Sequence, residues 1–265
     1  MTAASIRRMH TSTSPNPGPS AGGGPDLRWQ ERRAFLVGVT AAAGWLDALA
    51  FLYLGKVFLS FMSGNLLFVG IAAGTGSGDL LARAGAALGA FLIGTAAGAR
   101  LTGSQLAPGA PRSPMARTLR LEAALLAAFA VLWLAAGTPA DHSAVSFLLI
   151  VIGAGAMGLQ AAVSLAFHLP NVATVAMTAT LAQLGALIGW RRREGKAVFA
   201  RTPAASLMLG LCLAYLISAI VVATLPETAG LAFGPVVLLA VALVIDARSA
   251  DEPRRRPAPV AASAR

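Results

Sequence analysis

The chain has 265 residues, of which 56% are hydrophobic and only 12% charged, with a mean hydropathy of +0.70. A soluble domain of this size needs more charge on its surface, so the composition points to an integral membrane protein. The formal net charge of +10 does not argue for nucleic acid, because the basic residues sit in short connecting segments and at the ends, as they do beside a bilayer. Cys212 is alone in an apolar run, which excludes an intramolecular disulfide and a cysteine metal centre.

In chain order, residues 1–33 are rich in Ser, Thr, Pro and Gly ("TSTSPNPGPSAGGGP") and are expected to form a disordered cytoplasmic tail. "RRAFLVG" imitates a twin-arginine export signal, but Asp47 interrupts the apolar stretch behind it and further membrane sequence follows. The polytopic membrane domain is expected over residues 34–247, and 248–265, with "EPRRRPAP", is expected to be a second disordered basic tail. Runs long enough to cross a bilayer, ~20 residues, are Ala34–Leu54, Leu80–Leu101, Leu119–Gly137, Ser143–Phe167, Pro203–Leu225 and Gly230–Ala247. Two shorter runs, Val57–Gly74 and Asn171–Trp190, carry more Gly, Ser, Thr or Asn. Each is either a further span or a re-entrant segment.

Loop charge decides between them. All Arg and Lys except Lys56 and Arg83 fall in four clusters: five in 1–33, four in Arg100–Arg120, five in Arg191–Arg201 and five in Arg248–Arg265. If all four face the cytoplasm, an even number of crossings separates each from the next. Six spans with two re-entrant segments meet that condition, and eight spans do not. An internal repeat agrees: "AGWLDAL" (Ala43–Leu49) parallels "MGLQAAV" (Met157–Val163), and "FMSGNLLFVGIAAG" (Phe61–Gly74) parallels "AMTATLAQLGALIG" (Ala176–Gly189). The expected fold is therefore an all-α integral membrane protein with six transmembrane helices. They form two inverted three-helix repeats, about 34–137 and 143–247, each with a short re-entrant or broken segment.

"GWLDA" at Gly44–Ala48 and "MSGN" at Met62–Asn65, continued by "GLQAA" and "MTAT" in the second half, resemble the YoaK-like family of bacterial inner-membrane proteins. The resemblance covers roughly residues 34–247. It implies six spans in the bacterial plasma membrane, and it implies no reaction. Ser63 stands where the family has Thr, Ala161 where Asn is common and Ala179 where Gly is common.

Asp47 is the acid farthest from any expected boundary, whereas Glu122 and Asp246 lie within a turn or so of theirs. A charge near the bilayer centre costs roughly 3 kcal/mol or more, so such a residue is expected to face the protein interior or water. Asp47 lies seven residues before Leu54, ~10 Å below the end of its run, and a re-entrant arm starting at Lys56 brings Ser63 and Asn65 to ~10–14 Å. Asp47, Ser63, Gly64 and Asn65 are thus expected to meet in one protein-lined pocket. Gln160, Thr178, Thr180 and Gln183 are the second-half counterparts. Paired glycines four residues apart (Gly70/Gly74, Gly85/Gly89, Gly94/Gly98, Gly185/Gly189) read as helix-packing positions.

Gly153–Gly158 spells G-x-G-x-x-G inside a membrane run, with no acid at the spacing a dinucleotide ribose needs, so a nucleotide site is rejected. His10, His142 and His168 are scattered, and no metal, cofactor or nucleophile–base motif is readable. The sequence therefore points to a secondary transporter or permease for a small solute, embedded in the lipid bilayer with both termini cytoplasmic. Asp47 would be its coupling or binding residue. The alternative is a non-transporting scaffold with Asp47 in a structural hydrogen bond. An intramembrane enzyme would need a second catalytic group beside Asp47, and none is placed there.

Overall fold

A computed structural model describes residues 27–102, 113–137, 143–166, 177–193, 195, 203–225 and 234–240. Among them all regular structure is helical: α1 (Leu27–Tyr53), α2 (Met62–Thr75), α3 (Gly78–Thr102), α4 (Ser113–Ala136), α5 (Ala144–Ala166), α6 (Met177–Arg193) and α7 (Pro203–Thr224). Residues 234–240 are also helical and are labelled α8. Five of these, α1, α3, α4, α5 and α7, are long and apolar enough to cross a membrane. The sixth expected span shares only 234–240 with the described residues. Both expected tails, apart from 27–33, and the connections at 138–142 and 226–229 lie outside them.

Besides the start of α1, which is at Leu27 rather than Ala34 so that 27–33 is helix and not disordered tail, two boundaries differ from the sequence reading. α4 starts at Ser113, six residues before the apolar run at Leu119. Pro114 suits a first turn, where its missing N–H has no partner to lose, and Arg117 is exposed on the added turns. The second difference is the short run 57–74, which is not one element: residues 55–61 are non-helical and α2 begins at Met62, just before Ser63. At 14 residues, α2 reaches only ~21 Å. It ends at Gly76, whose left-handed conformation (φ 71°) lets its N–H reach the carbonyl of Ala72.

Polar contacts fix the helix directions. Arg83, early in α3, donates to the carbonyl of Leu54 just past α1 (3.1 Å) and to Ser146 Oγ at the start of α5 (3.4 Å). At the other end, Gln160 in α5 donates to the carbonyl of Val39 in α1 (2.9 Å). α3 and α5 therefore run side by side, opposite to α1. Arg33 and Ser206 are hydrogen-bonded near the starts of α1 and α7, and Gly44 faces Tyr215 and Ser218 farther along, so α1 and α7 run together.

Both parallel pairs are close because glycine leaves room. A Cβ on Gly44 would stand 2.6 Å from the Tyr215 carbonyl, and one on Gly158 would stand 2.8 Å from Thr95 N. Gly94 and Gly98 likewise abut α5. Gly70, Gly74, Gly85, Gly89, Gly185 and Gly189 meet nothing within 4 Å among the described residues. The packing expected of all four glycine pairs thus holds for Gly94/Gly98 and is not made by the other three within this set. α4 lies on α5 and α3, α2 on α3, and α6 on α7, while Gly234 of α8 abuts Trp45 of α1. The core at the centre of these contacts includes Leu46, Leu49, Leu59, Phe129, Trp133 and Met157, all fully buried.

Candidate functional site

After α1 the chain turns at Gly55 (φ 87°) and Lys56 (φ 62°). It then doubles back beside α1 without forming a helix. Non-helical backbone leaves N–H and C=O groups unpaired, and in an apolar interior each must find a partner. Asp47 supplies two. Its Oδ1 accepts from the backbone N–H of Leu59 (2.7 Å) and of Ser60 (2.6 Å). Its Oδ2 accepts from Ser60 Oγ (2.5 Å) and from Tyr215 Oη on α7 (2.7 Å). Four donors on a carboxylate's two oxygens use its accepting capacity.

Asn65 completes the arrangement from the first turn of α2. Its Nδ2 donates to the carbonyl of Phe58 (2.6 Å) and its Oδ1 accepts from the N–H of Phe58 (2.9 Å). The side-chain amide therefore pairs with both backbone groups of one residue, as a neighbouring strand would. Phe58 stacks between Phe51 (5.3 Å between centroids) and Phe68 (5.8 Å). Gly64 is buried under the rings of Phe58 and Phe61, where a Cβ would come within 2.7 Å of Phe61. At the tip, Leu59 reaches Gly153 of α5. Residues 57–61 are thus wedged among α1, α2 and α5, with their polar groups tied to Asp47 and Asn65.

Among the residues singled out from sequence, Asp47, Gly64 and Asn65 are brought together around this segment. Ser63 is exposed, and Ser60 occupies the hydroxyl position beside Asp47 instead. The break falls before Met62, so the hydroxyl that faces inward belongs to the loop. The second-half residues are divided between α5 and α6. Gln160 is buried on α5, Thr180 is buried on α6, Gln183 is half-buried with an unpartnered Oε1, and Thr178 is exposed. Ala161, the repeat counterpart of Asp47, offers no polar atom, and residues 167–176 lie outside the described set.

Sequence reasoning missed Ser60, Tyr215 and Arg83 and misplaced Glu122. Tyr215 carried a signal: it is one of two tyrosines in the chain and lies inside an apolar run. Arg83 is 3% exposed and pairs with Asp79 one turn earlier (3.0 Å). Glu122 was expected near a boundary because its run begins at Leu119. With α4 starting at Ser113, it lies about two and a half turns inside the helix and is fully buried. Among the described residues no three His, Cys, Asp or Glu side chains stand together as a metal site would require.

Residues 35–245 match the family model described as "Protein of unknown function (DUF1275)". The chain belongs to this family. YoaK is a DUF1275 member, so the resemblance carried by "GWLDA" and "MSGN" points to the same family. No curated protein and no solved structure matches the chain. In this DUF1275 domain, then, the residues that carry the family resemblance at 44–48 and 62–65 are those that flank and hold the folded-back segment.

Proposed function

We propose that this DUF1275 protein is a permease for a small solute in the bacterial plasma membrane, built from two inverted halves with both termini in the cytoplasm. The observation that carries the reading is the buried, non-helical segment 57–61, held by an intramembrane carboxylate. Irregular backbone at membrane depth is tolerated where protein or a water-filled cavity surrounds it, and broken elements of this kind mark the solute sites of many secondary transporters. α1 ends beside the start of α3, so the folded-back segment and α2 enter and leave at the same end of the bundle. That supports a re-entrant element between two crossings, in line with the charge parity.

The inverted repeat draws support from the helix pairing. Exchanging α1 with α5, α2 with α6, α3 with α7 and α4 with α8 turns the pair α3–α5 into α7–α1. The same exchange turns α2–α3 into α6–α7 and α4–α5 into α8–α1, and all of these pairs are in contact. Gly44 against α7 and Gly158 against α3 are counterparts under the same exchange. Cysteines at Ser113 and Gly195 should react only from the cytoplasmic side and one at Thr138 only from outside. Reaction at Thr138 from the cytoplasm overturns this topology.

A non-transporting scaffold is the second reading, favoured by the saturation of Asp47: a carboxylate holding four protein donors is serving the fold. Uptake by vesicles containing the purified protein separates the two. A permease carries at least one solute of a broad panel of ions, sugars and amino acids, and loses uptake when Asn65→Ala frees the segment. A protein that folds, orients correctly and moves none of them is a scaffold.

A further inference from the structure

Glu122 is the one acid among the described residues whose two carboxyl oxygens are both buried and without a hydrogen-bond partner. Its place in the bundle follows from the packing of α4 on α5. Phe129 of α4 lies against Gly153 of α5, 3.3 Å from where a Cβ would stand. The two helices are antiparallel neighbours across the short connection 137–143. Seven residues make two turns. Two turns before Phe129 is Glu122, and two turns after Gly153 is Gln160, so they come to the same level on facing sides. Gln160 is 1% exposed. Its Nε2 is committed to the carbonyl of Val39, and its Oε1 has no partner. Beside Val39, the buried hydroxyl of Thr40 is unpartnered as well.

The atoms left over at this level are therefore two carboxyl oxygens, one amide oxygen and one hydroxyl. Their shortage is of donors. No cationic side chain supplies one: α5 contains no titratable residue, and on α3 Arg83 and Asp79 pair with each other at the far end while Arg100 is exposed. On α4 itself Arg117 and Arg120 are exposed, and Asp47 on α1 is taken up by the folded-back segment. A proton on Glu122 supplies a donor without requiring a cavity. Its O–H then gives a hydrogen bond to Gln160 Oε1, and the remaining carbonyl oxygen of Glu122 can accept from a hydroxyl.

We propose that Glu122 is a proton-binding site of this protein, with Gln160 Oε1 as the acceptor of its protonated form. The reaction is the addition or loss of one proton at a Glu122 oxygen, with no other bond changed. Binding a proton here does not depend on transport; its use as a coupling ion rests on the permease reading.

Infrared difference spectra of the full chain in lipid, recorded in H2O and D2O between buffers of about pH 6 and about pH 10, the acid one still above the range in which exposed carboxyls protonate, test the site without any solute. The expected result is a carboxylic C=O band that gains intensity in acid and moves down in frequency in D2O. The band should be missing in Glu122→Gln, moved in Gln160→Met and kept in Asp47→Asn. A band that survives Glu122→Gln, or no carboxylic band between the two buffers, overturns the assignment. If Glu122→Gln does not fold, Glu122→Asp must shift the band, and an unshifted band overturns it equally. Loss of the band on adding sodium at fixed pH identifies an alkali-cation site and overturns the proton assignment. Failure of this test leaves the permease reading standing, and failure to find a transported solute leaves this site standing.

Discussion

Asp47 and Glu122, the two buried acids among the described residues, differ in what surrounds them rather than in how deeply they lie. Asp47 receives four hydrogen bonds, two from loop backbone and two from hydroxyls. Glu122 receives none, although it too is fully buried. A carboxyl ringed by donors does steady work for the fold, because removing it strands every one of those donors. A carboxyl with no donor contributes nothing of that kind and burdens the interior with its desolvation. The first should be sensitive to any change of shape and the second only to a change of protonation.

The largest effect is expected from Asp47→Leu, which leaves four donors, three of them fully buried, without their acceptor. At ~1–3 kcal/mol each, less what relaxation recovers, the loss should be about 4 kcal/mol or more. Thermal unfolding in detergent should show a marked drop in Tm; an unchanged Tm would break the contrast outright. Asn65→Ala should follow at about 2–3 kcal/mol, since both backbone groups of Phe58 lose their partner. A second expected sign is new protease cleavage within 55–61 while α1 and α3 stay intact. Tyr215→Phe removes a single donor from Asp47 and should cost about 1 kcal/mol. Its value is as a calibration, because it alters Asp47's surroundings while leaving the loop's two backbone bonds to Asp47 in place. Glu122→Gln should be the mildest change, between neutral and about 1 kcal/mol more stable, since it removes an unpartnered acid and keeps its shape. Destabilisation comparable to Asn65→Ala would mean that Glu122 carries structural load, and the contrast would collapse.

Much of the fold was legible because bilayer-crossing helices announce themselves by length and apolarity. Five expected spans coincide with α1, α3, α4, α5 and α7 to within a few residues in most places. The start of α4 was misjudged because a hydropathy reading ends where the arginines begin, whereas the helix continues through them. That one error also hid Glu122. For the site, Asp47, Gly64 and Asn65 stood out as polar or helix-weakening residues in an apolar stretch. Ser63 and Ser60 are separated by two residues, and only the exact break between loop and helix determines which hydroxyl turns inward. Tyr215 lies 168 positions from Asp47, a pairing that depends on α1 and α7 running side by side and that no local pattern reveals.

The amide of Asn65 holds the two backbone groups of Phe58 in a fixed order, nitrogen facing oxygen and oxygen facing nitrogen. Such a contact has polarity: turning the amide over would set two donors together and two acceptors together. Aspartate at this position would place an oxygen against the Phe58 carbonyl, and leucine would fill the space while leaving both groups bare. Glutamine has the right atoms on a stem one carbon too long. A single planar group of this length thus serves as the missing neighbouring strand for one residue, and the side-chain chemistry at position 65 is confined almost to one amino acid.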